Sequence, residues 1–359
     1  MADQKGGKSK KSFWYSITHT KTMTKKEYVG IVRQVIRFVL VIFVISIAVF
    51  LAVAVFGGIG KVFGIILTSN LWIYSLAFVS VFIGYLISFG KWRYYMKILK
   101  LDVPVKKNLA VYLSLYSMEL TPARIGRIIS AYTLNRITKI RFINIIPIVT
   151  IDIFTDFLGM AFLALASAIY FHKFVFLVAI ADVVLLLPFL FILSDWFFHL
   201  VKRLIKSPTF YKVFTSYGRE YFSSQSKLHK PKVYLVSMIF TIPSALLYSM
   251  SLYFSLLAVG AIPHATTSIF IFSFSQIIGM LTAIPGNVGV TDASLVTLLS
   301  STLSLPTAIS SAVTIMARIA TLWFGVTIGG IALFYTLRYW NIGAGPKPFK
   351  GSRNRSAAG

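Results

Sequence analysis

The chain contains no cysteine, and only 10 of its 359 residues are acidic. The first absence excludes disulfide frameworks, thiol nucleophiles and cysteine-based metal sites. Histidine is scarce too: five residues are scattered without ligand spacing, so neither a metal nor a cofactor is expected. Charged residues make up 13% of the chain, against roughly 25% in an ordinary soluble domain. Most of the surface therefore does not face water. What is present instead is apolar: 57% of the residues are hydrophobic. That excludes a disordered chain, which is poor in apolar residues. Beside the few acids stand 36 Lys and Arg, a formal net charge of +26. A nucleic-acid partner is not expected, because such binders carry their charge on a polar surface that this chain lacks. The class left is a polytopic membrane protein with basic residues gathered on one side.

A helix needs about 20 mostly apolar residues to cross a bilayer. Six runs qualify: 38–56, 71–90, 148–171, 174–194, 233–259 and 306–337. Two further stretches are apolar but broken. One, about 103–135, contains Glu119-Leu-Thr-Pro-Ala-Arg-Ile-Gly-Arg127, with Thr121, Pro122 and Gly126 at the break. The other, 265–304, contains Ile284-Pro-Gly-Asn-Val-Gly289, with Pro285, Gly286, Asn287 and Gly289 at the break. Proline removes a backbone donor and disfavours helix before it, while glycine permits turns. Each stretch is thus divided into two short pieces. The expected fold is an all-α polytopic membrane protein of about six transmembrane helices plus two Pro/Gly-broken re-entrant hairpins. Residues 1–29 read as a flexible basic arm, 30–338 as the transmembrane domain and 339–359 as a disordered tail.

The basic residues orient this arrangement. Residues 1–37 hold nine, 91–107 six, 119–141 five, 195–232 eight and 338–359 five. The stretches 57–70 and 172–173 hold one each, Lys61 and Lys173, and 259–305 holds none. If 103–135 enters from the cytoplasmic side and returns, both large basic loops fall on the cytoplasmic side, as the positive-inside rule requires. The poor loops then fall outside, and 265–304 enters from the outer face. Both termini are cytoplasmic, in the cytoplasmic membrane. The two opposed hairpins suit an inverted pseudo-repeat. Broken segments in opposed halves are the usual pointer to a transporter site near the midplane, although loops packed among helices would produce the same pattern.

Ionisable residues inside the membrane are costly and are functional candidates by default. They are Glu119, Arg124 and Arg127 at the first break, Asp152 and Asp156 in the third span, Asp182 in the fourth, Asp292 after the second break and Arg318 in the last. Asp152 and Asp156 are four apart and share a helix face. Two such carboxylates repel, so one holds a proton or both face arginine. Arg–Asp pairs that only tie helices together are the structural alternative. Trp14, Trp92, Trp196, Trp323 and Trp340 flank the runs and read as interfacial anchors. No catalytic constellation emerges: there is no phosphate-binding glycine loop ending in Lys-Ser/Thr, no HExxH and no GxSxG.

Four features in order carry a resemblance: Leu120-Thr-Pro-Ala-Arg-Ile-Gly126, the acidic pair in the next span, Ile284-Pro-Gly-Asn-Val-Gly-Val-Thr-Asp-Ala-Ser-Leu295, and an Arg in the last span. This order is similar to the flippase-like membrane domain of the lysylphosphatidylglycerol synthetase family, over roughly 30–338. By that resemblance Thr121, Pro122, Arg124 and Gly126 match the first motif, and Pro285, Gly286 and Gly289 the second. Arg318 matches the Arg of the final span. The chain departs from the family at Arg127, where an acid is usual, at Ile153, where Arg is usual, at Asn287 in place of Gly and at Asp292 in place of Glu. The family's soluble aminoacyl-transferase and glycosyltransferase domains are not expected here.

The resemblance implies a flippase-like lipid translocase rather than an enzyme. Its substrate would be an anionic phospholipid or a polyprenyl-linked lipid. Arg124, Arg127 and Arg318 would hold phosphate, since arginine suits bidentate phosphate recognition. Glu119, Asp152, Asp156 and Asp292 would balance those charges, bind a cationic group or carry a coupling proton. The alternatives are an intramembrane enzyme acting on lipid-linked substrates and a membrane subunit or anchor for a separate lipid or glycan synthase. A homo-oligomer is compatible with all three.

Overall fold

The computed structural model describes residues 25–121, 142–172, 174–193 and 221–339, with Arg127, Leu134, Trp196, Leu200 and Arg203 as isolated positions between them. Among the described residues every regular element is helical. In chain order these are α1 (Lys25–Phe56), α2 (Ile59–Thr68), α3 (Leu71–Ile98), α4 (Val105–Ser114), α5 (Phe142–Phe171), α6 (Val175–Leu193), α7 (Pro231–Ala258), α8 (Ala265–Leu281), α9 (Val290–Leu303), α10 (Thr307–Arg318) and α11 (Phe324–Tyr339). A short 3-10 turn, Leu115–Met118, comes after α4, and another, Pro285–Asn287, separates α8 from α9. A π-helical turn, Ile319–Trp323, joins α10 to α11.

Four stretches are long and apolar enough to cross a bilayer: Leu71–Ile98, Ile145–Phe171, Pro231–Ala258 and Thr307–Thr336. A fifth is obtained if α1 and α2 form one bent span, the two lying at 100° across Gly57 and Gly58. The remaining expected span, α6, has 19 residues, about 28 Å at 1.5 Å per residue, close to a hydrocarbon core of about 30 Å. Two local expectations change. The stretch 57–70 is not simply a loop but holds α2. The helix α1 begins at Lys25, inside the stretch expected as a free arm.

The centre of the bundle is the antiparallel pair α3 and α7. The backbone N–H of Asn70 donates to Ala258 O at 2.8 Å, which locks the start of α3 to the end of α7. Asn70 also caps α3, its side chain accepting from the backbone of Trp72 and Ile73 at 3.0 and 3.2 Å. Between membrane helices, small residues let backbones approach closely. Here Gly84, Ser88 and Ser244 do so: Ser88 and Ser244 share a hydroxyl hydrogen bond of 2.6 Å, and Ser244 Oγ donates to Gly84 O at 3.1 Å. A similar close approach joins α11 to the turn after α4, where a Cβ on Gly329 would lie 2.1 Å from the backbone nitrogen of Ser117. The side chains facing away from the bundle, such as Leu67, Trp72, Leu235 and Ile239, are exposed and apolar. That pattern suits lipid rather than water.

Trp92 corrects one expectation. It is fully buried and donates its indole N–H to Asn108 Oδ1 at 2.9 Å. It belongs to the core, because α3 continues past the apolar run through Ile98.

Candidate functional site

A cavity of about 420 Å³ opens among α3, α5, α6, α7, α8 and the two breaks. Its height comes from helix arithmetic. Tyr85 is the 15th residue of the 28 in α3 and Ser244 the 14th of the 28 in α7, and both line it. The cavity therefore sits at mid-height of the two central spans. Glu119, Thr121 and Arg127 approach it from the first break, and Ala283, Ile284, Gly286 and Asn287 from the second.

One wall is a buried ion network. Arg127 Nη1 lies 3.3 Å from Asp152 Oδ2 and 3.1 Å from Asp156 Oδ2, and Nη2 pairs with Glu119. The other face of the acidic pair is held by Lys91, whose Nζ is 3.2 Å from Asp152 Oδ1 and 2.6 Å from Asp156 Oδ1. Lys91 also donates to Thr155 Oγ1 at 3.1 Å, and Thr155 is within 3.1 Å of the Tyr95 hydroxyl. Two cations thus bridge two carboxylates that the i, i+4 spacing forces together. Lys91, Arg127 and Asp152 are at most 3% exposed, whereas the Asp156 side chain is 23% exposed, toward the cavity. Arg127 also lies over the Tyr116 ring, 5.5 Å from its centroid.

A second wall is formed by the second break. Backbone φ is positive at Ala283, Gly286, Asn287 and Gly289, a conformation that glycine adopts at little cost and Asn tolerates. The turn is held by two side chains. Arg318 Nη2 donates to Gly286 O at 2.7 Å, and its Nε is 2.9 Å from Asp292 Oδ1. Asp292 Oδ2 in turn accepts from the backbone N–H of Gly289 at 2.7 Å, capping the start of α9. Arg318 closes α10, and the π-turn begins at the next residue. Such turns recur at functional sites because they re-aim side chains within a helix.

Most of the residues singled out in the sequence come together at these two walls. Glu119, Arg127, Asp152 and Asp156 form one network. Thr121, Gly286, Asn287 and Arg318 line the cavity. Asp292 is fully buried behind the break. Pro285 opens the 3-10 turn, and Gly289 precedes α9. Pro122, Arg124 and Gly126 lie outside the described residues. Sequence reasoning missed Lys91, which it counted among the basic residues of a cytoplasmic loop. Its position directly after the apolar run 71–90 was compatible with one more helical turn. Also missed was a hydroxyl lining: Tyr85, Ser88, Tyr116, Thr241, Ser244, Tyr248 and Thr321 all face the cavity.

These features define a class: a polytopic, all-helical membrane protein with a charged, hydroxyl-lined cavity at mid-height of its spans. The chain belongs to the family described as lysylphosphatidylglycerol synthase TM region, whose family model matches residues 39–329. That match runs from within α1 into α11 and includes both breaks, the acidic pair and Arg318. A membrane-embedded, lipid-related role follows from the family. No curated protein matches the chain by sequence.

Proposed function

We propose that the protein is a lipid translocase that moves an anionic phospholipid or polyprenyl-linked lipid across the cytoplasmic membrane, with both termini in the cytoplasm. The observation that carries this reading is the cavity at mid-height, lined by both breaks and by two guanidinium groups. A headgroup crossing the bilayer needs polar partners where lipid tails offer none. The hydroxyls and charges of this cavity supply them.

Arg318 is the principal headgroup ligand in this proposal. A guanidinium has five N–H donors, and Asp292 and Gly286 O occupy only two of its faces. The remaining donors suit a phosphate. Arg127 is the second ligand, with Glu119, Asp152 and Asp156 balancing its charge. Asp292 acts through Arg318, by fixing its direction.

The reading is tested in liposomes containing fluorescent phosphatidylglycerol. Purified protein should carry inner-leaflet label to the outer face, where dithionite bleaches it. Arg318→Ala should slow this at least tenfold, while Arg318→Lys, which keeps the charge but not the fork, should fall between. If the wild-type protein moves neither this lipid nor a polyprenyl phosphate, the proposal fails.

A further inference from the structure

Asp182 is the one buried acid on a described helix that takes no part in either wall of the cavity. It is 6% exposed, its Oδ1 has no hydrogen-bond partner, and it forms no ion pair among the described residues. It lies on a stripe of α6, Val178, Ala181, Asp182 and Leu185, that is buried in the bundle, while Ile180, Val183 and Leu187 are exposed. No other titratable residue occurs in α6. Among the described residues, the helices packed most extensively against α6 are α5 and α8. Helix α8 carries no titratable residue. Helix α5 carries Asp152 and Asp156, both held by Lys91 and Arg127, and Tyr170 near its end.

Position adds a second observation. Phe174 stacks on Phe270, 6.2 Å between centroids and 12° between planes, which sets the level of α6 against α8. From that level Asp182 lies about 12 Å down the bundle at 1.5 Å per residue. Ser275 and Gln276 lie about 8 to 9 Å down α8 by the same rise. Ser275 is fully buried with a hydroxyl that has no partner, and Gln276 lines the cavity. One turn beyond Asp182 on its own stripe, Leu185 lines the cavity too. By height Asp182 thus falls between the Phe174 end of the bundle and the level of Leu185, where the cavity begins, on a helix that packs against α8.

An isolated carboxylate in apolar surroundings takes up a proton rather than stay charged. We propose that Asp182 is a proton-binding site, holding the neutral acid in the resting protein and exchanging its proton with the cavity as lipid is moved. The coupling half of this inference rests on the translocase reading; the proton-binding half does not.

The two halves are tested separately. Dicyclohexylcarbodiimide reacts with protonated carboxyls in apolar surroundings. The carboxyl O–H adds across the N=C=N group, the proton going to nitrogen and the oxygen to carbon. The acyl group then shifts to nitrogen as a stable acylurea, with nothing lost. Intact protein treated at pH 6 should carry the reagent's mass on the peptide containing Asp182, with several-fold less at pH 9. Asp182→Glu should keep the label and Asp182→Asn should lose it. An unlabelled Asp182 in well-folded wild-type protein overturns the inference.

For coupling, proteoliposomes with fluorescent phosphatidylglycerol are given a pH gradient of either sign. The wild-type rate should change several-fold with the sign, and Asp182→Asn should respond equally to both. A gradient response retained in Asp182→Asn overturns coupling at this residue even where it is labelled. If wild-type protein moves no lipid under any gradient, the translocase reading and the coupling both fall, and the labelling alone decides proton binding.

Discussion

Replacing Lys91 by methionine keeps the length of the side chain and removes its charge, which makes it a direct probe of the buried network. Lys91 is fully buried, with Nζ at 2.6 Å from Asp156 and 3.2 Å from Asp152. At an effective dielectric constant of about 20, these separations correspond to roughly 6 and 5 kcal/mol of attraction. Most of that offsets the desolvation of the ammonium. What the substitution exposes is the cost of leaving acids without their cation, about 3–5 kcal/mol for a buried pair. Among the described residues, Arg127 would then face all three carboxylates, those of Glu119, Asp152 and Asp156. The protein escapes by placing a proton on one of them. The cost of that proton falls by about 1.4 kcal/mol for each unit by which the pH is lowered. The variant's native state binds a proton that the wild-type native state does not. Its deficit therefore shrinks as pH falls. The assay is reversible unfolding by dodecyl sulfate in mixed micelles, monitored by tryptophan fluorescence, with Trp92 next in sequence to the change. We expect a deficit of about 3–5 kcal/mol at pH 7 that shrinks toward pH 5 by up to about 1.4 kcal/mol per pH unit. Adding Asp152→Asn should recover most of the loss at pH 7. A variant as stable as wild type at pH 7, or a deficit independent of pH, would refute the network as drawn.

Two other outcomes are expected from the packing. Because α3 begins where α7 ends, Lys61 and Lys230 belong to opposite faces. In this cysteine-free chain, cysteine at 61 should label with an impermeant maleimide from outside the cell and cysteine at 230 only from the cytoplasm; labelling of both from one face contradicts the topology. Gly329→Ala drives a methyl to within 2.1 Å of the Ser117 backbone, and overpacking of this kind costs about 1–3 kcal/mol. Gly330→Ala meets nothing within 4 Å and should leave stability in micelles within about 0.5 kcal/mol of wild type.

Several features of the site were legible in the sequence because they are local. The spacing of Asp152 and Asp156 places both on one face of any helix that contains them, so their need for a cation was evident before the partner was known. Pro285, Gly286 and Gly289 mark a break whatever surrounds it, since ring closure and positive φ are properties of single residues. Lys91 and Trp92 were misplaced for a reason of the same kind. The apolar run ends at Gly90, and a hydropathy reading assigns the residues after it to the interface. Helix α3 continues through Ile98 because those residues pack on α4 and α5 rather than meet water. Similarly, 57–70 lacks the length of a span and reads as a loop, while the bundle orders 59–68 as a helix turned across the direction of α1.

The sequence alone determined that this chain lives in a bilayer, that its basic residues cluster in a few segments and that two apolar stretches are interrupted. Those conclusions need only the cost of placing polar groups in hydrocarbon, which is incurred residue by residue. Only the tertiary structure decided which charges meet. Lys91 reaches the acidic pair from another helix, and Arg318 reaches Asp292 and Gly286 from a third segment, 26 and 32 residues away. Such meetings depend on how closely helices approach, and that approach is set by small side chains at their crossings, Gly84 and Ser244 above all. A buried charge announces in the sequence that it must have a partner, but the partner is chosen by the packing.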